Sequence, residues 1–456
     1  MNIDRLKVAA QKLKSYTERN GIKSSIFRTM EEAARIISDS SYGREMGTRQ
    51  DRDLSNLVLE MEKTISISLL IPVCDPEPQD FVRLLDSIEQ QVYQPYEVII
   101  CDGGKETGAE AIVNTFANKP ERSFPIRYKR LAENLGISGN TNEALSLAEG
   151  DFVAFLDHDD FLEPDSLYEI ALALQGGGDM VYTDEDKFDG QTYFAPNRKP
   201  DYNLDLLLSN NYICHLLTVR TAIVREAGGF RSDYDGAQDH DLLLRLAERI
   251  PAENILHIPK VLYHWKASQN STADNPDSKP YAYERAREAI LDYFRRRGIE
   301  AEVEDTAHRG FYHVNYSGNE IPAETYKLLL SPALLPQQND YERRLSSYFI
   351  RPEVGLVGGR ITGIGGRILC NGYTLDSYGR RVSLYADMNT NFSGNMHRAA
   401  VSQDVEAVSR HACVVRSELM DLYCKDTMEF CRRIREKGYL IIIDPTVQFR
   451  LQTQRP

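Results

Sequence analysis

Two aspartates separated by one residue, Asp157 and Asp159, follow directly on the apolar run Phe152-Val153-Ala154-Phe155-Leu156. Such a pair offers hard oxygen ligands to Mg²⁺ or Mn²⁺, cations that keep open positions for phosphate oxygens and water. A cation held there can act as a Lewis acid, neutralising a diphosphate as its bond to carbon breaks. The alternative is structural: aspartates behind a strand cap the next helix, and Asp160 suits that role. A second acidic cluster, Gln238-Asp239-His240-Asp241, opens a run whose apolar members Leu242, Leu243 and Leu244 predict a helix. A carboxylate at the start of that helix is favoured in its charged form by the helix dipole, the form that a general base needs.

These acids need elements that carry them to one place. From Thr64 the chain alternates strand and helix patterns: ISISLLIPV, then Phe81, Leu84, Leu85 and Ile88 at helical spacing, then EVIIC, then Ala109, Ile112, Val113 and Phe116. IRYKRL, FVAFL and DMVYT supply further strands. This alternation implies a mainly parallel sheet with helices on its faces, and such sheets bind ligands beyond the carboxyl ends of their strands. Asp157 sits at such an end. The chain also echoes itself: FVAFLDHDDFLEP resembles YKLLLSPALLP, LLTVRTAI resembles CVVRSEL, and QDHDLLLRL resembles KDTMEFCRRI, in the same order. Residues from about 310 onward therefore read as a partial second copy without the IPV strand or the EVIICDGG turn.

With 456 residues, 42% hydrophobic and 27% charged, the composition is that of a multidomain globular protein. No apolar run approaches the ~18 residues of a membrane span. The opening MNIDRLKVAAQKLKSY lacks the apolar core of a signal peptide, so a cytoplasmic location is expected. Seven cysteines without a Cys-x-x-Cys pair argue against a disulfide framework and a zinc knuckle. A net charge of -14 repels polyanions, so no nucleic-acid partner is expected.

The segments ISLLIPVCDP, LLDSIEQQVYQPYEVIICDGG, ENLGISGNTNEALSLAEGDFVAFLDHDD, VYTDEDK, YDGAQDHDLLLRL and HIPKVLYHW lie within about residues 65–275. In them the chain resembles the family-2 inverting glycosyltransferases of GT-A fold. It looks closest to the bacterial branch that builds surface polysaccharides and O-antigens, several members of which transfer rhamnose. The resemblance implies an α/β protein with a mainly parallel twisted sheet and helices on both faces, to which the residues themselves add a helical N-terminal arm, with stretches such as EEAARII, and the partial C-terminal repeat. The expected domains are a helical arm at 1–63, a catalytic GT-A domain at 64–300 and a degenerate glycosyltransferase-like domain at 301–456.

By the same resemblance, Pro72 and Val73 line the nucleotide's base and ribose through their backbone, and Asp102 hydrogen-bonds the base. The family usually has two acids and a serine here, whereas this chain reads Asp102-Gly103-Gly104-Lys105. Asn134 and Asn142 either reach the diphosphate or cap a helix. Asp157 and Asp159 would hold Mn²⁺ or Mg²⁺ against the donor. His264 would be a third ligand or else a hydrogen-bonded core histidine. Lys266, at the start of KASQNSTA, would fold over the diphosphate, and Trp265 would stack on a sugar or pack in the core. Asp184, Glu185 and Asp186 would face acceptor hydroxyls or form a helix-capping turn, while Asp241 would be structural. Asp239 would take the proton from an acceptor hydroxyl as that oxygen attacks the anomeric carbon opposite the nucleotide, giving inversion.

The expected protein is thus a metal-dependent inverting glycosyltransferase. Its donor would be a UDP- or dTDP-sugar and its acceptor a growing glycan, carried on a lipid at the inner face of the plasma membrane, where the protein would associate peripherally. The alternative is a non-catalytic glycan-binding or assembly subunit. A nucleotidyltransferase would want a Gly-rich, basic loop after the first strand, and CDPEPQD is acidic.

Overall fold

Apolar residues at period two and at helical spacing meet in one core. Ile67, Leu69 and Ile71 of β1 (Ile67–Val73) pack with Phe81, Leu84, Leu85 and Ile88, the buried face of α2 (Pro78–Glu89), all at most 2% exposed. The computed structural model describes residues 3–49, 63–120, 122–267, 280–316, 318–376 and 378–452. They divide into two units, one of Ala34–Tyr202 with Asn211–Ala289, the other of Met1–Ala33, Asn203–Asn210 and Ile290–Pro456. The N-terminal helix α1 (Ile3–Arg49) contributes to both and is interrupted at Gly21, whose φ of 79° is open to glycine at little cost.

In chain order the first unit continues through β2 (Glu97–Asp102), α3 (Gly108–Ala117), β3 (Ile126–Arg130), α4 (Gly136–Leu147), β4 (Phe152–Phe155), β5 (Phe161–Leu162), α5 (Ser166–Gln175), β6 (Met180–Phe188) and β7 (Tyr193–Asn197). After α6 (Leu204–Ser209), which belongs to the other unit, come β8 (Leu217–Arg220), α7 (Thr221–Glu226), α8 (Gln238–Ala247) and β9 (Ile255–Lys266). The sheet runs β3-β2-β1-β4-β8-β6-β9-β5, with β7 on β6. Strands β3, β2, β1 and β4 are mutually parallel. Strand β8 is antiparallel to both its neighbours, β4 and β6, and β6 is parallel to β9. The segment YTDEDK lies within β6, so it is neither a turn nor a helix cap.

The second unit repeats the half of this sheet from β4 onward. Its order is Tyr326–Leu330, Ala412–Arg416, Val354–Thr362, Leu440–Leu451, Leu334–Pro336, with the same sequence of directions as β4-β8-β6-β9-β5. Even a register shift recurs, between Thr183 and Asp184 of β6 and between Gly359 and Arg360 of its counterpart. In each case the partner strand carries a proline there, Pro259 or Pro445, whose missing N–H suits a break in the ladder. Among the described residues this sheet ends at Tyr326–Leu330, with no counterpart of β1, β2 or β3. All seven cysteines are free thiols.

Asp426 and Asp239 stand at matching helix starts but do different work. Asp426 is the N-cap of Thr427–Arg435 and accepts from Glu429 N at 2.9 Å, whereas the cap residue of α8 is Ala237. Asp426→Ala should therefore cost about 1 kcal/mol in urea unfolding, with Asp426→Asn near neutral because asparagine caps equally well.

Candidate active site

The reversal of β8 builds the site. Phe155 of β4 faces Leu217 of β8, so continuing the antiparallel register sets Asp157 opposite His215. The Asp157 carboxylate lies 3.8 Å from His215 Nε2, with the aspartate side chain 40% exposed. Ligand atoms of Asp157, Asp160 and His215 all fall within 4.8 Å of one another. The His215 ring stacks on Tyr263 at 4.8 Å and meets the edge of Trp265 at 5.7 Å. Asp160 is fully buried and does not cap a helix: it accepts from Tyr263 Oη at 2.6 Å and from Lys266 N at 2.7 Å. Burial, then the charges of Asp159 and Asp157, hold its carboxyl well above the ordinary range. Asp159 is outside the trio, and burial followed by the Asp157 charge raises its carboxyl as well.

His264, the expected third ligand, is not brought to this group. Alternation along β9 puts it on the face opposite Tyr263 and Trp265. There its Nδ1 is 2.6 Å from Asp186 and its Nε2 2.9 Å from Glu163, so both ring nitrogens are already committed to carboxylates. It is the hydrogen-bonded core histidine. The histidine near Asp157 is His215 instead. The sequence signal was a Cys-His pair immediately before LLTVR, informative only once that strand is known to run backwards.

Asp239 lies in the first turn of α8, half-buried, and accepts from Asn211 Nδ2 at 2.8 Å. Asp241, two residues on, is buried and paired with Arg231 and with Arg245, the latter at 2.7 Å. One loop, Asn211 to Leu216, thus carries a contact to Asp239 at one end and His215 toward Asp157 at the other. Cys214 between them has its Sγ 3.9 Å from Asp239, and burial first, then the charges of Glu185 and Asp239, push its thiol well up.

The remaining expected residues are engaged within the protein. Val73 O accepts from Gly103 N at 2.9 Å, and Pro72 O is 3.3 Å from His158 Nδ1. Asp102, fully buried, accepts from Gly104 N, Tyr128 Oη and Arg130 Nη1 at 2.6–2.8 Å. A Cβ on Gly104 would stand 2.5 Å from Asp75 Oδ1, and one on Gly103 2.9 Å from Asn134 Cα, so close packing demands this glycine pair. Asn134 accepts from Gly136 N at 3.0 Å and from Asn140, and Asn142 clasps the backbone of Phe230 through both its amide atoms at 2.8 Å. Lys266 Nζ pairs with Asp80 at 3.0 Å, and the loop from Ser268 to Ala273 lies outside the described residues. Trp265 lies under the Lys187 ammonium at 5.3 Å. Asp184 meets Lys199 N and His257, Glu185 meets Lys199 and Asn197, and Asp186 meets His264 and Tyr42.

Residues 68–234 match the family described as Glycosyl transferase family 2. This segment is a glycosyl transferase family 2 domain. The helix-flanked α/β sheet that the resemblance implied is present, but it is mixed rather than mainly parallel, because β8, β5 and β7 run antiparallel to their neighbours. An uncharacterized protein, y4gI, of Sinorhizobium fredii is 38% identical over 249 residues, 53% of this chain and 27% of that protein. The O-antigen biosynthesis protein RfbC of Myxococcus xanthus is 34% identical over 253 residues, 55% of this chain and 20% of that one. The chain therefore spans only 20–27% of the length of these two relatives. Among solved structures, S. aureus TarS 1–349 in complex with UDP-GlcNAc is 20% identical, with a TM-score of 0.42, covering 50% of this chain and 67% of that one. No helix among the described residues is long and apolar enough to cross a membrane.

The unit that contains this domain carries a pH-sensitive anchor at His264. Burial alone would lower its pKa, but Asp186 and then Glu163 outweigh that and raise it to about 9. A folded pKa above the unfolded 6.5 means stability fully present below pH 6.5 and lost as pH rises through about 9. Unfolding free energy should fall by up to about 1.4 kcal/mol per pH unit in that window. Urea titrations across it should show a shallower slope for His264→Gln.

Proposed function

We propose that the chain is a metal-dependent inverting glycosyltransferase that moves a sugar, rhamnose being the first to test, from a nucleotide-diphosphate donor to a hydroxyl of a growing, lipid-linked surface polysaccharide. The observation that carries this reading is the pairing of two acidic sites by one loop, Asp157 with His215 at a strand end and Asp239 in a helix's first turn. The name of the Myxococcus relative, an O-antigen biosynthesis protein, supports the acceptor class.

Asp157, Asp160 and His215 offer two oxygens and one nitrogen, a donor set that suits Mn²⁺ and, with water completing the shell, Mg²⁺. The fit rests on the convergence of two hard carboxylate oxygens and one borderline imidazole nitrogen, with the Asp157 side chain 40% exposed. Asp157, Asp160 and His215 would hold the cation, which would supply Lewis-acid charge neutralisation to a diphosphate leaving group. The protein's own residues do the rest. Asp160, fixed by Tyr263 and Lys266 N, holds the strand end in shape, and Tyr263 and Trp265 orient the His215 ring. The nucleotide lies beyond the carboxyl ends of β1, β2 and β4, around Asp102. Asp239, kept in place by Asn211, accepts the proton of the attacking hydroxyl, and the helix dipole favours its ionised form.

Four measurements test this. Asp239→Asn keeps the shape and the Asn211 contact but cannot take a proton at neutral pH, so turnover should fall ~10²-fold or more with donor affinity retained. A product of retained anomeric configuration, read by NMR, would reject single displacement. A panel of nucleotide sugars that includes UDP- and dTDP-sugars, assayed for hydrolysis with Mn²⁺ and with Mg²⁺, should pick out one donor. Asp157→Ala should remove the dependence of its binding on the metal.

A further inference from the structure

Lys199 is a lysine with a fully buried side chain, and its surroundings account for all three of its N–H donors. The ammonium donates to Ile213 O at 2.5 Å, to His215 O, and to Glu185 Oε2 at 3.2 Å. The same Glu185 oxygen accepts from His215 N at 3.1 Å. His215 is thereby gripped at both its backbone groups, the N–H by the carboxylate and the carbonyl by the ammonium. Leu216 N donates to Thr183 Oγ1 at 3.3 Å, and Cys214 N donates to Asn211 Oδ1 at 3.3 Å, which closes the loop on itself. The Asn211 amide then reaches Asp239 at 2.8 Å. Glu185 is also braced by Asn197 Nδ2 at 3.1 Å.

We propose that Lys199, acting with Glu185, is a positioning residue that fixes the loop Asn211 to Leu216 so that His215 faces Asp157 and Asn211 faces Asp239. The inference rests on the metal reading given above. Lys199 touches neither donor nor acceptor; it acts by holding backbone. A carboxylate alone could accept from the loop's N–H groups but would repel its carbonyls, and an ammonium alone would leave the His215 N–H without an acceptor. The pair satisfies both, and burial keeps water from competing for the same atoms. Removing either partner leaves a buried charge facing unanswered dipoles.

The test reads metal binding on the full chain, without nucleotide, from the loss of the free Mn²⁺ signal in electron paramagnetic resonance. Wild type should bind Mn²⁺, and His215→Ala should weaken binding at least about tenfold. Folded Lys199→Met should weaken it by a similar factor, and the double variant Lys199→Met/His215→Ala should be no weaker than either single change. A folded Lys199→Met with wild-type affinity, or losses that multiply in the double variant, would overturn the positioning role. Should Lys199→Met fail to fold, Glu185→Gln carries the same test, since it keeps the shape and removes only the charge facing the ammonium. Weakened Mn²⁺ binding in folded Glu185→Gln supports the proposal, and unchanged binding overturns it. Unaltered binding in His215→Ala would instead remove the metal reading itself, and the inference with it, a failure distinct from that of Lys199 alone.

Discussion

The antiparallel seating of β8 beside β4 is the constraint on which the site depends. A parallel neighbour would have delivered its own carboxyl end to Asp157, and residues 217–220 would then point their start away from it. Reversed, β8 begins where β4 ends, and a residue far along the chain arrives opposite the aspartate without a long side chain or an extra loop. The cost of reversal is that the loop entering β8 must run over the strand ends with its backbone groups away from any ladder. Buried backbone groups need partners, and β6, the other neighbour of β8, supplies Thr183 and Glu185 for them. The acidic stretch of β6 is therefore tied to the direction of the strand beside it.

This explains which features were legible in the sequence. The helices and the first parallel strands announce themselves by local periodicity, because Phe81, Leu84, Leu85 and Ile88 are buried on one face whatever else happens. Asp157 and Asp239 were legible because acids next to apolar runs mark element ends. Strand direction is not local. Without it, His215 has no visible relation to Asp157, and His264, the histidine beside the sole tryptophan, attracts the ligand role instead. On β9 its ring meets Asp186 and Glu163, on the face opposite Tyr263, since a one-residue step along a strand changes the face.

The stretch Asp184-Glu185-Asp186 misled for a related reason. Three consecutive acids read as facing acceptor hydroxyls or as a helix-capping turn, because ionised groups are rarely buried without partners. Here each one has a buried partner from a different part of the chain: His257 for Asp184, Lys199 for Glu185, His264 for Asp186. The partners lie 73, 14 and 78 residues away along the chain, and no local periodicity links them. Asp102 shows the milder version, an acid correctly placed at the end of β2 but already ion-paired to Arg130 from the next strand.

The second unit separates what the fold needs from what the site needs. Its register equates Met180 with Leu356 and so Glu185 with Ile361, while Asp157 falls at Ser331 and His215 at His411. Ser331 N donates to His411 O at 2.9 Å, so the backbone approach of loop to strand end survives there. The charges do not. Their loss leaves strand order, directions and even the proline-marked register shift intact, because the apolar face, with Leu356, Val415, Ile441 and Ile443 buried together, carries the sheet by itself. In the first unit, by contrast, burying Glu185 and Lys199 is of doubtful benefit to stability, since a buried ion pair seldom outperforms apolar residues of the same volume. Ile361 at the Glu185 position is that apolar replacement, found in the same architecture. The pair persists where Asp157 and His215 face each other and is absent where the aspartate is gone, which ties its presence to the placement of that loop rather than to the sheet.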